Sequence, residues 1–281
     1  TASVKKFAQP VIRYDLVLDE IDADRYLPPP AKGKEQKAKA AATPATAAAG
    51  GAVQLPLELL RSLDIDGTIK LGKLKIMNLR STEMRATLNA KKGVFKLHPL
   101  SARLYQGGYE GNLRFDVRKD TPRIAVDEKL AGVQAGPLLK DFMGKDYVTG
   151  MANFSAKMTA QGLDEKAIRK TLNGNAAFSF EDGAVNGINV AEMLRNALAA
   201  FKKQSAVKKR PQKTDFAILK GSVVAKNGLL TNKDLVAKSP PLRVNGAGKA
   251  NLVTEELDYL VKTAVVGTLE GQGGKELEEL K

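Results

Sequence analysis

Hydrophobic and polar positions alternate with a period of two along most of this chain of 281 residues. Residues 11–19 place Ile12, Tyr14, Leu16 and Leu18 on one face. Leu63, Ile65, Ile69 and Leu71 share a phase, whereas Leu74 and Ile76 fall in the other. Gly72 sits at that switch and predicts a bulge or bend. Met84, Ala86 and Leu88 lie opposite Arg85, Thr87 and Asn89, and Phe95, Leu97, Leu100, Ala102 and Leu104 continue the pattern. Tyr109, Gly111, Leu113, Phe115 and Val117 alternate with Glu110, Asn112, Arg114, Asp116 and Arg118. Ile124, Val126 and Leu130 mark another strand. Ala152, Phe154, Ala156, Met158 and Ala160 mark the next, followed by Ala176, Phe178 and Phe180. Tyr259, Val261, Thr263 and Val265 form the last. This periodicity reads as half-buried strands.

Turn signals separate them: Lys91-Lys92-Gly93, Gln106-Gly107-Gly108, Glu181-Asp182-Gly183, Lys226-Asn227-Gly228 and Pro240-Pro241. Helical spacing is confined to a few places. Residues 188–203 carry Val190, Leu194, Ala197, Leu198 and Phe201 at intervals of three and four, which predicts one sizeable helix. Short helices are predicted over 56–63, over 136–143 with Pro137 in the first turn, and over 164–171 with Asp164 as N-cap. The fold class is therefore mainly β: a long curved antiparallel sheet, groove-like and partly open. A compact sandwich competes with it, but the helices favour a sheet with one face partly covered.

The segments follow from this. Residues 1–29 hold an N-terminal strand and the Asp24-Arg25-Tyr26-Leu27-Pro28-Pro29 stretch. Residues 30–54 are a low-complexity linker of Lys, Ala, Thr, Pro and Gly with little to bury. Residues 55–266 form the sheet domain, including a basic linker at 204–213. Residues 267–281 read as a truncated tail, and the absence of a signal peptide suggests a fragment of a longer chain.

Net charge is +14, which favours anionic partners, but part of the excess sits in the two linkers. The basic run through Lys208, Lys209 and Arg210 has no interleaved aromatics, so nucleic acid is not expected as a partner. The chain has no Cys and a single histidine, His98, so no catalytic constellation or zinc site can be placed. The carboxylates Asp19, Glu20, Asp22 and Asp24 lack the glycine hinge and terminal Glu of a calcium loop. No catalytic residue, cofactor or metal ligand is expected, and the protein reads as a non-enzyme.

The apolar phase is more telling. A single good helix and three weak ones offer little to cover so long a greasy face, and an uncovered strip of a few hundred Å² normally marks a binding site. Each buried ligand methylene contributes about 0.8 kcal/mol, so an acyl chain could be held by shape alone. The candidate groove residues are Phe95, Leu97, Leu113, Phe115, Val117, Phe154, Met158, Phe178 and Phe180. From the residues alone, a sheet that curls and closes on itself remains an equal alternative.

Several motifs occur in a fixed order. The run LNGNAAFSFEDGAVNGINVAEML is followed by Thr214-Asp215-Phe216, Asn227-Gly228, Ser239-Pro240 and Gly246-Ala247-Gly248. Upstream lie DEIDADRYLPP and the meander NAKKGVFKLHPLSARLYQGGYEGNLRFDVR. Together these resemble the AsmA family of Gram-negative envelope proteins. The resemblance implies a periplasmic body tethered to the inner membrane by an N-terminal anchor absent here. It also implies an architecture similar to chorein-type bridge-like lipid transfer proteins and a role in outer-membrane biogenesis. The implied partner is phospholipid or another envelope lipid. The alternative is a structural or assembly module that influences outer-membrane protein insertion or lipopolysaccharide level through an envelope protein partner, with helix 188–203 as the docking element.

Overall fold

A computed structural model describes residues 2–5, 11–26, 56–190, 192–193, 196, 211–239 and 242–266. They form one sheet of thirteen strands whose spatial order is the order along the chain. The strands are β1 (Ala2–Lys5), β2 (Val11–Asp22), β3 (Asp64–Ile76), β4 (Leu79–Lys91), β5 (Val94–Leu104), β6 (Gly107–Asp116) and β7 (Arg123–Gln134). The sheet continues through β8 (Met151–Gln161), β9 (Asn173–Asn186), β10 (Lys213–Lys226), β11 (Leu229–Lys238), β12 (Leu242–Asn251) and β13 (Leu257–Val265). β1 and β13 are both edges, so the sheet is not closed into a barrel.

Neighbouring strands are antiparallel with one exception. β2 and β3 are parallel, with Ile12 opposite Ile65 and Leu18 opposite Leu71. This corrects the expectation of a purely antiparallel sheet. Two parallel neighbours need a crossover of a dozen residues or more, and the stretch between Asp22 and Asp64 supplies it. The linker 30–54 inside that stretch, the tail 267–281, Pro240-Pro241 and most of the predicted helix 188–203 lie outside the described residues. Within that predicted helix, Val190, Glu192, Met193 and Asn196 are helical. Of the predicted basic linker, Lys213 instead begins β10, and 204–210 lie outside the description.

Tight turns set the register. Four hairpins have two-residue loops with positive φ at both positions: Met77-Asn78, Lys92-Gly93, Tyr105-Gln106 and Asn227-Gly228. Such loops match the twist of the flanking strands. Two were expected from their glycines. The third displaces the predicted Gln106-Gly107-Gly108 turn, because Gly107 belongs to β6. A Cβ on Gly107 would lie 2.5 Å from the Ala131 carbonyl oxygen, so close backbone approach explains that glycine. Likewise Glu181-Asp182-Gly183 does not end its strand; β9 continues to Asn186, with Asp182 in the left-handed region at φ 48°.

Register shifts interrupt β4–β5, β5–β6, β7–β8, β10–β11 and β11–β12. Each bends the strands and increases local twist, which lets so many strands form one sheet. The predicted switch at Gly72 is present: Leu71 is buried, Gly72 and Lys73 are exposed, and Leu74 is half-buried. Across from it Glu83 has φ 53°.

The helices are short and sit at strand ends. α1 (Leu57–Ser62) and α3 (Glu165–Thr171) lie at one end, and α2 (Ala135–Met143) at the other. Asp164 caps α3, its carboxylate accepting from the Ala167 N–H at 2.7 Å. α2 is tied down by Asp141, which accepts from the Tyr105 hydroxyl at 2.8 Å. Arg61 of α1 donates to the Val117 carbonyl at 2.8 Å.

Candidate functional site: the apolar face of the sheet

Directly paired residues point to the same side of a sheet, so the registers fix its two faces. Phe154 pairs with Leu130 and Phe178; Leu130 pairs with Tyr109, and Tyr109 with Ala102. One step along, Met158 pairs with Val126, Val126 with Leu113, and Leu113 with Leu97 and in turn Leu88. Phe95 pairs with Phe115, their ring centroids 6.2 Å apart, and Phe178 lies 5.9 Å from Phe180. Side-chain period and register thus combine to put one apolar set on one surface.

The other surface is polar. Asp127 pairs with Lys157 and forms an ion pair at 2.9 Å; Glu20 reaches Lys73 and Glu83 reaches Arg103. These exposed pairs contribute little energy each. Their effect is on register, since a slip by one residue would carry the charges onto the apolar side.

Few side chains are shielded. Eleven apolar residues among those described are buried, six of them alanines and the others Leu71, Val117, Val133, Phe216 and Leu242, and the remaining larger apolar side chains are half-buried or exposed. Phe95, Leu97, Leu113, Phe115, Met158, Phe178 and Phe180 are half-buried, and Phe154 is 37% exposed. Among the described residues no helix lies across the middle of the face. Val117 departs from its prediction as a groove residue. It is fully buried at the α1 end, its N–H bonded to the Gly93 carbonyl and its own carbonyl to Arg61. It closes the sheet end and cannot line an accessible surface.

Aromatic rings spread over glycines smooth this face. A Cβ on Gly67 would lie 2.5 Å from the Tyr14 ring, and one on Gly246 2.8 Å from the Tyr259 ring. An open cleft of about 630 Å³ is lined mostly from the other phase, by residues such as Lys129, Asn153, Ser155, Ser179, Lys220 and Ser222, with Leu130, Phe154, Phe178 and Gly221 from the apolar phase. A second, of about 730 Å³, opens at the α2 end beside Ile21, Leu74 and Leu104.

The carboxylates near the N-terminus act structurally. Asp24 accepts from the backbone N–H groups of Met77 and, at 3.0 Å, Asn78, which hold its carboxyl below the usual range and fix the β3–β4 turn. Among the described residues no cluster of His, Asp and Glu could hold a metal ion, and no helix is long and apolar enough to cross a membrane. One polar feature of the apolar face, the Tyr109 and Glu128 pair, was not anticipated. Its signal was a charged residue within the apolar phase Ile124, Val126, Glu128, Leu130.

The sequence model of the AsmA family matches residues 2–235. Protein AsmA of Escherichia coli (strain K12) is 22% identical over 214 residues, covering 76% of this chain and 35% of that protein. The chain thus spans about a third of the length of this curated relative. No solved structure matches. With the family model matched over more than half of its length, and an open sheet of sequential strands beneath that match, this chain belongs to the AsmA family.

Proposed function

We propose that this chain is a non-enzymatic envelope segment that binds or conducts phospholipid along the apolar face of its sheet, in outer-membrane biogenesis. The observation that carries this reading is an apolar surface, traced by register from β4 to β9, most of whose large side chains remain half-buried or exposed. A face of this kind in water costs free energy unless something covers it. Acyl chains suit it: long, apolar and without directional demands. Kinship to Protein AsmA of Escherichia coli supports a place in the Gram-negative envelope. The proposed location is the periplasm, with an inner-membrane tether in the longer protein. Native mass spectrometry of the purified protein tests the reading. Co-purified phospholipid released by delipidation supports it; a lipid-free protein that also takes none from vesicles counts against it.

A second reading has its own observation. Phe142, Met143, Tyr147, Ile188 and Met193 are all exposed around the α2 end. An apolar cluster outside the face would suit a module that works through an envelope protein partner. A stable partner in pull-downs, lost on changing Phe142 and Met193 to Ser, with no lipid bound, would favour it.

A further inference from the structure

Glu128 lies on the apolar face. Register places it between Gly111 of β6 and Ala156 of β8, with Val126 and Leu130 beside it on its own strand. From β5 to Phe180 of β9, it is the one charged residue that the registers put on that side. The fold makes room for it. A Cβ on Gly111 would lie 2.2 Å from Glu128 Oε2 and 2.4 Å from the Tyr109 hydroxyl oxygen. The Tyr109 hydroxyl donates to Glu128 Oε2 at 2.5 Å.

A carboxylate has acceptor sites for about four hydrogen bonds, and among the described residues Tyr109 alone donates to it. The side chains facing it from β8, around Ala156, are Phe154 and Met158, which carry no donor. Its two charged neighbours in sequence, Asp127 and Lys129, both point to the polar face, Asp127 paired with Asn112 and Lys157 and Lys129 with Glu110 and Ser155. Desolvation by the apolar surroundings pushes the Glu128 carboxyl above its usual range, Tyr109 opposing this and Asp127 adding to it. The site is short of donors and of positive charge.

We infer that Glu128, seated against Tyr109, reads headgroups, receiving the ammonium of an amine-bearing amphiphile whose tails lie along the apolar face. The inference rests on the lipid-binding reading above. An ammonium supplies three N–H donors and the opposite charge. An anionic headgroup without an amine sets like charge against Glu128. A half-exposed charge-assisted hydrogen bond sits at the low end of its range, a preference of about tenfold.

The test incubates the purified full chain with vesicles holding equal amounts of a zwitterionic primary-amine phospholipid and an amine-free anionic phospholipid, with matched acyl chains. Bound lipid is extracted and the two species are counted by mass spectrometry. The wild type should be enriched about tenfold in the amine lipid, against the bias that its net charge of +14 would impose. Glu128→Gln keeps an acceptor for Tyr109 while removing the charge. It should retain total loading and circular dichroism, with the ratio falling to unity or below. Tyr109→Phe, which frees the carboxylate, should keep the preference. Uptake by the wild type without preference, or a preference that survives in Glu128→Gln, overturns the inference and leaves lipid binding intact. No uptake at all by the wild type overturns both.

Discussion

Phe154 separates a lipid-bearing face from an ordinary core. It is 37% exposed and sits between Leu130 and Phe178 in mid-sheet. A phenylalanine presents about 200 Å², so about 75 Å² is open. Covering that area with an acyl chain at about 25 cal/mol per Å² yields about 2 kcal/mol, or about 25-fold in affinity. The buried remainder, about 125 Å², stabilises the fold by about 3 kcal/mol. Phe154→Ala should therefore weaken phospholipid binding about 25-fold and lower Tm by about 6–12 °C, while remaining folded at 25 °C. Phe154→Asp should go further and abolish photocrosslinking to labelled phospholipid. Ser155→Asp supplies the control, since it adds the same charge one position along β8 on the polar face and should leave lipid binding unchanged. Lipid affinity, circular dichroism and melting are read on all three. Folded Phe154→Ala and Phe154→Asp proteins that bind lipid as the wild type does would refute the reasoning.

Other consequences are equally open to measurement. Gly72→Ala would put a Cβ 2.5 Å from the Asp19 carbonyl oxygen; the clash between β2 and β3 should cost about 1–3 kcal/mol in urea unfolding. Asp164→Ala removes the α3 cap and should cost about 1 kcal/mol. Hydrogen bonds and charge from Arg118, together with Arg114, hold the Asp116 carboxyl well below its usual range. Its stabilisation is therefore present above the ordinary carboxylate pKa and lost as pH falls through the lower folded value. Asp116→Asn should lower Tm at pH 7, with the difference from wild type disappearing in strong acid. Glu128 carries the opposite sign: its folded pKa is raised by desolvation, so its ionisation weakens the fold as pH rises through that value. The Tm of Glu128→Gln relative to wild type should therefore climb between pH 4 and pH 8.

Much of the sheet was legible because period-2 alternation is written one strand at a time. Phe154, Phe178 and Leu113 could be assigned to the apolar phase without knowing their partners, and Asn227-Gly228 announced its hairpin. Strand direction was not legible at β2 and β3, since alternation looks the same in parallel and antiparallel pairs and the crossover carries no pattern. Glycine was ambiguous. Gly93 and Gly228 serve turns, whereas Gly107 and Gly183 serve close approach, and neither sequence context tells these roles apart. Tyr105-Gln106 adopts a turn conformation that its residue types disfavour, held by the Tyr105 hydroxyl bond to Asp141, a contact 36 residues distant. Val117 followed the alternation of β6 yet lies just beyond the strand, where α1 covers it. Glu128 was readable as a charge out of phase, but its meaning required Gly111 and Tyr109 from the neighbouring strand.

The central claim is that one surface of this sheet, and not the other, meets lipid. A photoreactive amino acid placed in turn at positions 152 to 160 of β8, in protein incubated with phospholipid vesicles, tests it residue by residue. Crosslinks to lipid at Phe154, Ala156 and Met158 with none at Ser155, Lys157 and Thr159 are the predicted outcome. Labelling without that two-residue rhythm, or no labelling at the even positions, would contradict it.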